Sequence, residues 1–247
     1  ARCGQVLFED RVLRKVDLGP GAISTQILQP EPLTYHLFAC LMLSSSLGQL
    51  GRDCRQLMRS EIDEVEEAFE TGQVGSSTMA NKRNPINFEQ LEGMWLRSKH
   101  EFGKVLEVLI SEHQRDLVGS SLMRDFPILI VNLVVQLETL LRANESGVSF
   151  LARMRVNDEA CARNLRMNAG TIIGEPLQIA LQMAGYPGDA HAVVNEQAMP
   201  FSKETGMTLV DSVQELAVKD AALAQAVQNI PEGVLSLLRT PEQYTGR

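Results

Sequence analysis

Between Leu122 and Leu141 the sequence is apolar on nearly every side of a helix. Ile128, Leu129, Ile130, Val131, Leu133, Val134, Val135, Leu137, Leu140 and Leu141 are broken by few polar residues, among them Asn132, Gln136 and Glu138. A helix apolar all round is a helix buried all round. The run is too long for one buried strand, which weakens the β alternative. A chain of 247 residues has room for one large domain or two smaller ones. One bundle of that size hardly encloses such a helix, so part of its surface is expected to be covered by another subunit.

The rest of the chain supports an all-α reading. From about Leu33 to Met58, apolar residues (Leu37, Phe38, Leu41, Met42, Leu47, Leu50) recur at helical spacing. Small residues (Ala39, Ser44, Ser45, Ser46, Gly48) lie between them and suit an inner helix of a tight bundle. Arg55 to Phe69 reads as a continuation, with Glu61, Asp63, Glu64, Glu66 and Glu67 on a solvated face. Asn87 to His113 carries another long pattern through Phe88, Leu91, Trp95, Phe102, Val105 and Leu109. Residues 1–20 have no clean period and end in Gly19-Pro20-Gly21, which reads as the tail of an element plus a loop. Beyond Asn144-Glu145-Ser146-Gly147 shorter helices are expected near 157–168, 174–185, 188–198 and 208–227. The expected organisation is a helical-bundle domain over 1–153 and a smaller all-helical domain over 154–247, with no repeat or low-complexity segment.

Composition narrows the function classes. The net charge of −8 argues against a nucleic-acid surface, which needs a basic stripe. Cys3, Cys40, Cys54 and Cys161 are scattered, without zinc-type or redox spacing, and fit reduced thiols in the cytoplasm. No signal-peptide pattern opens the sequence. The apolar run Phe126–Val135 is interrupted by Pro127 and Asn132 and is too short to span a bilayer. No metal-ligand spacing occurs. Against this acidic background Lys82, Arg83, Arg115 and Arg124 suit a local pocket for a small, multiply anionic substrate. The plainer reading makes them solvated cations at helix ends.

One segment without hydrophobic periodicity stands apart. Gly75-Ser76-Ser77-Thr78-Met79-Ala80-Asn81-Lys82-Arg83-Asn84-Pro85 places two hydroxyls behind a glycine, then two cations and an amide, and ends in proline. A simple turn needs far fewer of these residues. The order resembles the signature loop (about 70–85 here) of the fumarase/aspartase superfamily. The text after it, Ile86-Asn87-Phe88-Glu89 through Gln90 to Leu91-Glu92-Gly93, resembles the adenylosuccinate lyase branch. Gln114-Arg115-Asp116-Leu117 with Ser120-Ser121-Leu122-Met123-Arg124 resembles that branch's second substrate-contacting segment, and Ser24-Thr25-Gln26 its glutamine-bearing one. The likeness runs from about residue 20 to Arg247. Two departures stand out: Ala80 replaces the usual proline, and Gln90 stands where some members have asparagine.

The resemblance implies an all-α long-helix bundle built from four subunits, with each site shared between chains and no metal or organic cofactor. It implies β-elimination of fumarate from adenylosuccinate, and from the related imidazole-carboxamide ribotide, in purine synthesis. The hard step is removing a proton from a carbon beside a carboxylate, which calls for a base, cations at the carboxylate and an acid at the leaving group. By the same likeness Ser76 is the base and Ser77 contacts substrate. A serine hydroxyl serves so only where N–H groups, a cation and exclusion of water stabilise its anion. Lys82 and Asn84 are assigned to that charge, and Glu89 to orienting an acid from another chain. Gln26, Met79, Arg83, Arg115, Ser120, Ser121 and Arg124 are the implied substrate contacts. A guanidinium suits phosphate recognition because it binds bidentately. The plainer readings are a capping hydroxyl for Ser76, a first-turn carboxylate for Glu89 and ordinary helix capping for the Ser120–Arg124 group.

The implied acid is a histidine in a Ser/Thr-rich segment N-terminal to all of this. His36, His100, His113 and His191 lie in no such setting. The chain is therefore expected to lack an N-terminal domain and to turn over little or no substrate alone. Argininosuccinate lyase, fumarase and carboxymuconate cycloisomerase share the loop and remain alternatives. So does a non-catalytic helical scaffold.

Overall fold

In a computed structural model of the chain, residues 2–21, 29–68, 84–110 and 118–244 are described. They are mostly helical, with turns between the helices, an isolated antiparallel bridge between Ala143 and Ser149, and a two-stranded pairing of β1 (Val65–Glu66) and β2 (Arg155–Val156). The chain divides into two compact units: Ala1–Ser60 with Val65–Arg155, and Glu61–Glu64 with Val156–Arg247.

The first unit contains α1 (Arg2–Leu13), α2 (Glu31–Leu57), α3 (Ile86–Glu107), α4 (Val118–Leu122) and α5 (Pro127–Leu141). Helix α1 lies where the sequence reading placed a tail. Its Asp10 pairs with Arg14 just beyond it at 2.7 Å, a spacing that supports a helix locally. Helices α2, α3 and α5 form the bundle. Register fixes their directions: Gly51 lies against Leu91 and Gly48 against Trp95, while Ser98 faces Asn132 and Leu91 faces Gln136. Thus α3 runs antiparallel to both α2 and α5. The small residues of α2 do what their pattern suggested. A Cβ on Gly51 would come within 2.6 Å of the Phe88 carbonyl oxygen, and one on Gly48 within 2.7 Å of Trp95 Cβ.

The bundle core has three tiers. Leu37, Phe102, Val105, Val108, Phe126 and Leu129 form one apolar cluster. Cys54, Phe88, Leu91, Leu140 and Phe150 form another. Between them the buried side chains are polar: Ser44, Ser98, Asn132 and Gln136. Asn132 Nδ2 donates to Ser98 Oγ at 3.1 Å, and Gln136 Nε2 donates to the carbonyls of Leu91 (2.7 Å) and Ser44 (3.2 Å).

Helix α5 departs from the expectation of burial on every face. Its buried face holds Leu129, Asn132, Leu133, Gln136, Thr139 and Leu140. Ile130, Val131, Val134 and Leu141 are 40–63% exposed. Together with α4 and the turn Met123–Asp125, the apolar run spans 24 residues, Val118–Leu141, and holds an 18-residue stretch of mean hydropathy 1.5. This is longer than the sequence reading allowed and, by length and composition, enough to cross a membrane. Its packing identifies a core helix, because its polar residues are bonded to α2 and α3, and α3 carries Glu92, Lys99, Glu101 and Lys104 along the same stretch.

The expected continuation of α2 through Phe69 fails. The helix ends at Leu57, Asp63 takes a left-handed φ of 58°, and Glu67, read as solvated, is 2% exposed. Acid-rich text looked like a water-facing helix stripe, but a carboxylate can be buried when enough donors converge on it.

The second unit packs α6 (Asp158–Ile172), α7 (Gly174–Met183), a π-helical turn over Ala192–Ala198, α8 (Met199–Thr205), α9 (Leu209–Ala217), α10 (Ala221–Asn229) and α11 (Glu232–Arg239). Local side chains start several of these. Asn157 accepts from the Ala160 N–H, Thr208 from Asp211, and Asp220 from Ala222 and Leu223, each satisfying an otherwise orphaned helix donor. The segments from α7 to α11 meet in one continuous apolar core that includes Leu177, Leu181, Val194, Leu209, Val213 and Leu238.

Candidate functional site

The start of α3 gathers chemistry. Its first residue follows Pro85, which offers no side-chain acceptor, so the helix's free N–H groups need a partner from elsewhere. Glu67 supplies it. One carboxylate oxygen accepts from the N–H groups of Asn87 (3.0 Å) and Phe88 (3.1 Å), and the other accepts from Asn87 Nδ2 at 2.8 Å. Asn87 Oδ1 in turn accepts from Arg142 Nη2 at 2.9 Å. Burial pushes the Glu67 carboxyl above its usual range, and these hydrogen bonds pull it partly back. One turn further, Glu92 accepts from Arg52 Nε (2.9 Å) and Nη2 (2.7 Å), and from Arg55 Nη1. The hydrogen bond from Arg52 does most to hold the Glu92 carboxyl below its usual range.

Beside this frame lies an open cleft of about 390 Å³ lined by Arg55, Gln56, Met58, Arg59, Pro85 and Glu89. Two guanidiniums at the end of α2 thus share a cleft with the first-turn carboxylate of α3. A second cleft, about 470 Å³, is lined by Gln90, Val135, Glu138, Thr139, Leu141 and Arg142.

The site residues named from sequence fall into three groups. Gln26, Ser76, Ser77, Met79, Lys82, Arg83 and Arg115 lie outside the described residues, as do Ala80 and His113. Asn84 and Glu89 sit at the start of α3. Asn84 is half-buried and its carbonyl accepts the Ile86 N–H at 2.9 Å, while Glu89 is exposed. Ser120 and Ser121 are exposed on α4, and Arg124 is exposed in the turn after it. This third group sits at the far end of α3, where Gly119 approaches Val108 and Asp125 accepts from Lys104 Nζ at 2.7 Å. At ~1.5 Å per residue, Glu89 and Val108 are about 28 Å apart along the axis. One protomer therefore does not bring Glu89 and the Ser120–Arg124 group to one small ligand.

Sequence reasoning missed Glu67, Asn87 and Arg142, and the two arginines of the cleft. The available signal was the helix start itself, since an α3 that opens on Pro85 with no Ser, Thr, Asp or Asn at its cap requires a distant acceptor. Among the described residues, no group of three or more His, Cys, Asp or Glu is placed to hold a metal ion.

A family model described as Lyase matches residues 9–98. The chain is 32% identical to the adenylosuccinate lyase of Pyrococcus abyssi, a match over 100% of this chain and 52% of that protein. It is 29% identical to the N-acetyl-S-(2-succino)cysteine lyase of Enterococcus italicus, over 83% of this chain and 42% of that one. The chain spans about half the length of the curated relatives it matches. Its fold matches the crystal structure of a fumarate lyase from Mesorhizobium sp. BNC1 with a TM-score of 0.67 at 19% identity, covering 95% of this chain and 48% of that one. The all-helical fold, the helix-opening signature text and these likenesses agree, and the chain is a member of the fumarase/aspartase superfamily, similar in sequence to its adenylosuccinate lyases.

Proposed function

We propose that the protein carrying this chain is a carbon–nitrogen lyase of the cytoplasm that eliminates fumarate from adenylosuccinate and from the related imidazole-carboxamide ribotide. The observation that carries the reading is the chain-long likeness to an adenylosuccinate lyase, joined to a signature segment that ends at the Glu67-capped start of α3. In this reading Ser76 takes the proton from the carbon beside a carboxylate. The electron pair left there expels the nitrogen of the leaving group as the C–N bond breaks, and an acid returns a proton to that nitrogen. Lys82 and Asn84 stabilise the anionic intermediate, and Glu89 orients the acid. Gln26, Ser77, Met79 and Arg83 contact the succinyl portion, and Arg115, Ser120, Ser121 and Arg124 the nucleotide and its phosphate.

The length of α3 supports a shared site. With Glu89 and Ser120–Arg124 at opposite ends of one helix, a second protomer has to bring its own Ser120–Arg124 group to the Glu89 end. The outward apolar face of α5 supports the same assembly, a homotetramer. Such faces are covered when chains associate.

The test is fumarate release by the full-length protein. Ser76→Ala should lower kcat by about 10³-fold or more with helical content unchanged, whereas a non-catalytic scaffold would be indifferent. Offering adenylosuccinate and N-acetyl-S-(2-succino)cysteine side by side separates a nitrogen from a sulfur leaving group. Exclusive turnover of the thioether would overturn the substrate assignment. Mixing inactive Ser76→Ala and Arg124→Ala proteins under exchange conditions should restore part of the activity, and no recovery would count against the shared site.

A further inference from the structure

Glu67 and Asn87 stand on either side of the signature segment, twenty positions apart in sequence, yet their side chains meet at 2.8 Å. The donors and acceptors here can run in only one direction. Arg142 has only donors and Glu67, when ionised, only acceptors, so the Asn87 amide must turn its oxygen to Arg142 and its nitrogen to Glu67. The result is an ion pair bridged by an amide, with its anion on the two first free N–H groups of α3. A buried carboxylate is costly unless donors surround it, and here three donors and the positive end of a 22-residue helix do so.

We propose that Glu67 is a positioning residue for the lyase site. Through Asn87 and Arg142 it fixes the first turn of α3, and with it the placement of Asn84 and Glu89. The inference rests on the lyase reading above. The physical basis is preorganisation: a displacement of about 1 Å in a group aimed at substrate costs on the order of 10²-fold in rate, whereas a first turn held by backbone bonds alone frays.

The test uses the full-length protein. Glu67→Ala should accelerate hydrogen exchange at the Asn87 and Phe88 amides by about tenfold or more, because both lose their acceptor. It should lower kcat by about tenfold or more while KM moves less than about threefold. Glu67→Gln keeps the size of the side chain and guards against a folding failure. Its NH₂ would face the Asn87 NH₂ unless Asn87 turned over, which would set a donor against Arg142. Glu67→Gln should therefore also lose kcat, and adding Arg142→Leu should restore most of it by freeing Asn87 to turn. Unchanged exchange in Glu67→Ala, a wild-type kcat in either single variant, or a double variant no better than Glu67→Gln would overturn the assignment. A wild-type protein inert towards adenylosuccinate would instead sink the substrate reading, and the exchange measurement would still decide whether Glu67 holds α3.

Discussion

The two units solve the same problem in opposite ways. In the second, α6, α9 and α10 begin on their own Asn157, Thr208 and Asp220 caps, and the unit closes over one apolar core. In the first, long helices start at Pro30, Pro85 and Phe126 without a local side-chain cap. Their interior is split by a polar tier of Ser44, Ser98, Asn132 and Gln136, while Phe38, Met42, Val131 and Leu141 face outward. Ser44 Oγ and Gln136 Oε1 in that tier are buried without a partner, a cost borne by none of the described residues of the second unit. The second unit keeps its interior apolar, with Met167, Met183 and Val218 exposed at its surface. The first carries polarity inside and apolarity outside, the pattern of a unit completed by something it docks against.

The strongest way to break this contrast is to delete apolar volume in each unit. Leu181, 0% exposed in the second core, should cost about 2–5 kcal/mol when changed to Ala, since the cavity adds to the lost transfer energy. Ile130→Ser, on the 40%-exposed side of α5, should change the stability of dilute protein by no more than about 0.5 kcal/mol. It should also weaken association and remove any dependence of the unfolding midpoint on protein concentration. Urea titrations at two concentrations check both. Equal costs for the two substitutions would erase the distinction.

A second test sharpens it at the backbone. Gly51→Ala drives a Cβ to 2.6 Å from the Phe88 carbonyl oxygen and 2.8 Å from Leu91 Cβ. Backbone cannot swing aside, so about 1–3 kcal/mol of overpacking is expected. Gly170 in α6 meets nothing within 4 Å, and Gly170→Ala should stabilise by a few tenths to about 1 kcal/mol. Opposite signs in thermal unfolding are the expected result.

The contrast also explains what could be read without coordinates. Periodicity located α2 to within two residues at its start, because Leu37, Leu41 and Leu47 repeat with the helix turn. Gly48, among the small residues of that pattern, announced the close α2–α3 approach, and the structure adds Gly51 to it. The second unit's start at Asn157 was legible because the cap lies within the local text, whereas the single helix expected over 208–227 is two, α9 and α10, the second starting on Asp220. What escaped was non-local. The apolarity of α5 did not say which face the bundle would use, and the buried one proved partly polar. The acids of 61–67 looked alike, yet only the fold sends Glu67 to the start of α3. Nor could spacing reveal that Glu89 and Arg124 stand at opposite ends of one helix.

A smaller effect separates the local caps from the remote one. Thr208→Ala removes the acceptor 3.1 Å from the Asp211 N–H and should cost about 1 kcal/mol, with the loss confined to stability. Asn87→Ala, which breaks the bridge between Glu67 and Arg142, should instead show itself chiefly in turnover. Paired denaturation and rate measurements on the two variants decide whether cap and clasp differ in kind.

The smallest expected difference is one of sign with pH, within the first unit. Glu92 is held below its usual range, first by the hydrogen bond from Arg52. The folded state therefore binds its proton less readily than the unfolded chain does. Its contribution is complete above the unfolded value of 4.5 and is lost as pH falls through the lowered folded value. Arg52 is half exposed, so solvent screens the pair and the effect is modest. Glu67 runs the other way: burial raises its folded value above 4.5, so the folded state takes up that proton first and gains relative stability as pH falls through the raised value towards 4.5. Urea titrations from about pH 7 to about pH 3 should show Glu92→Gln with a shallower acid limb than wild type below 4.5. Glu67→Gln should differ from wild type above 4.5 instead. If both variants lose stability in parallel with wild type across the whole range, the two carboxylates do not carry the opposite linkages that their surroundings impose.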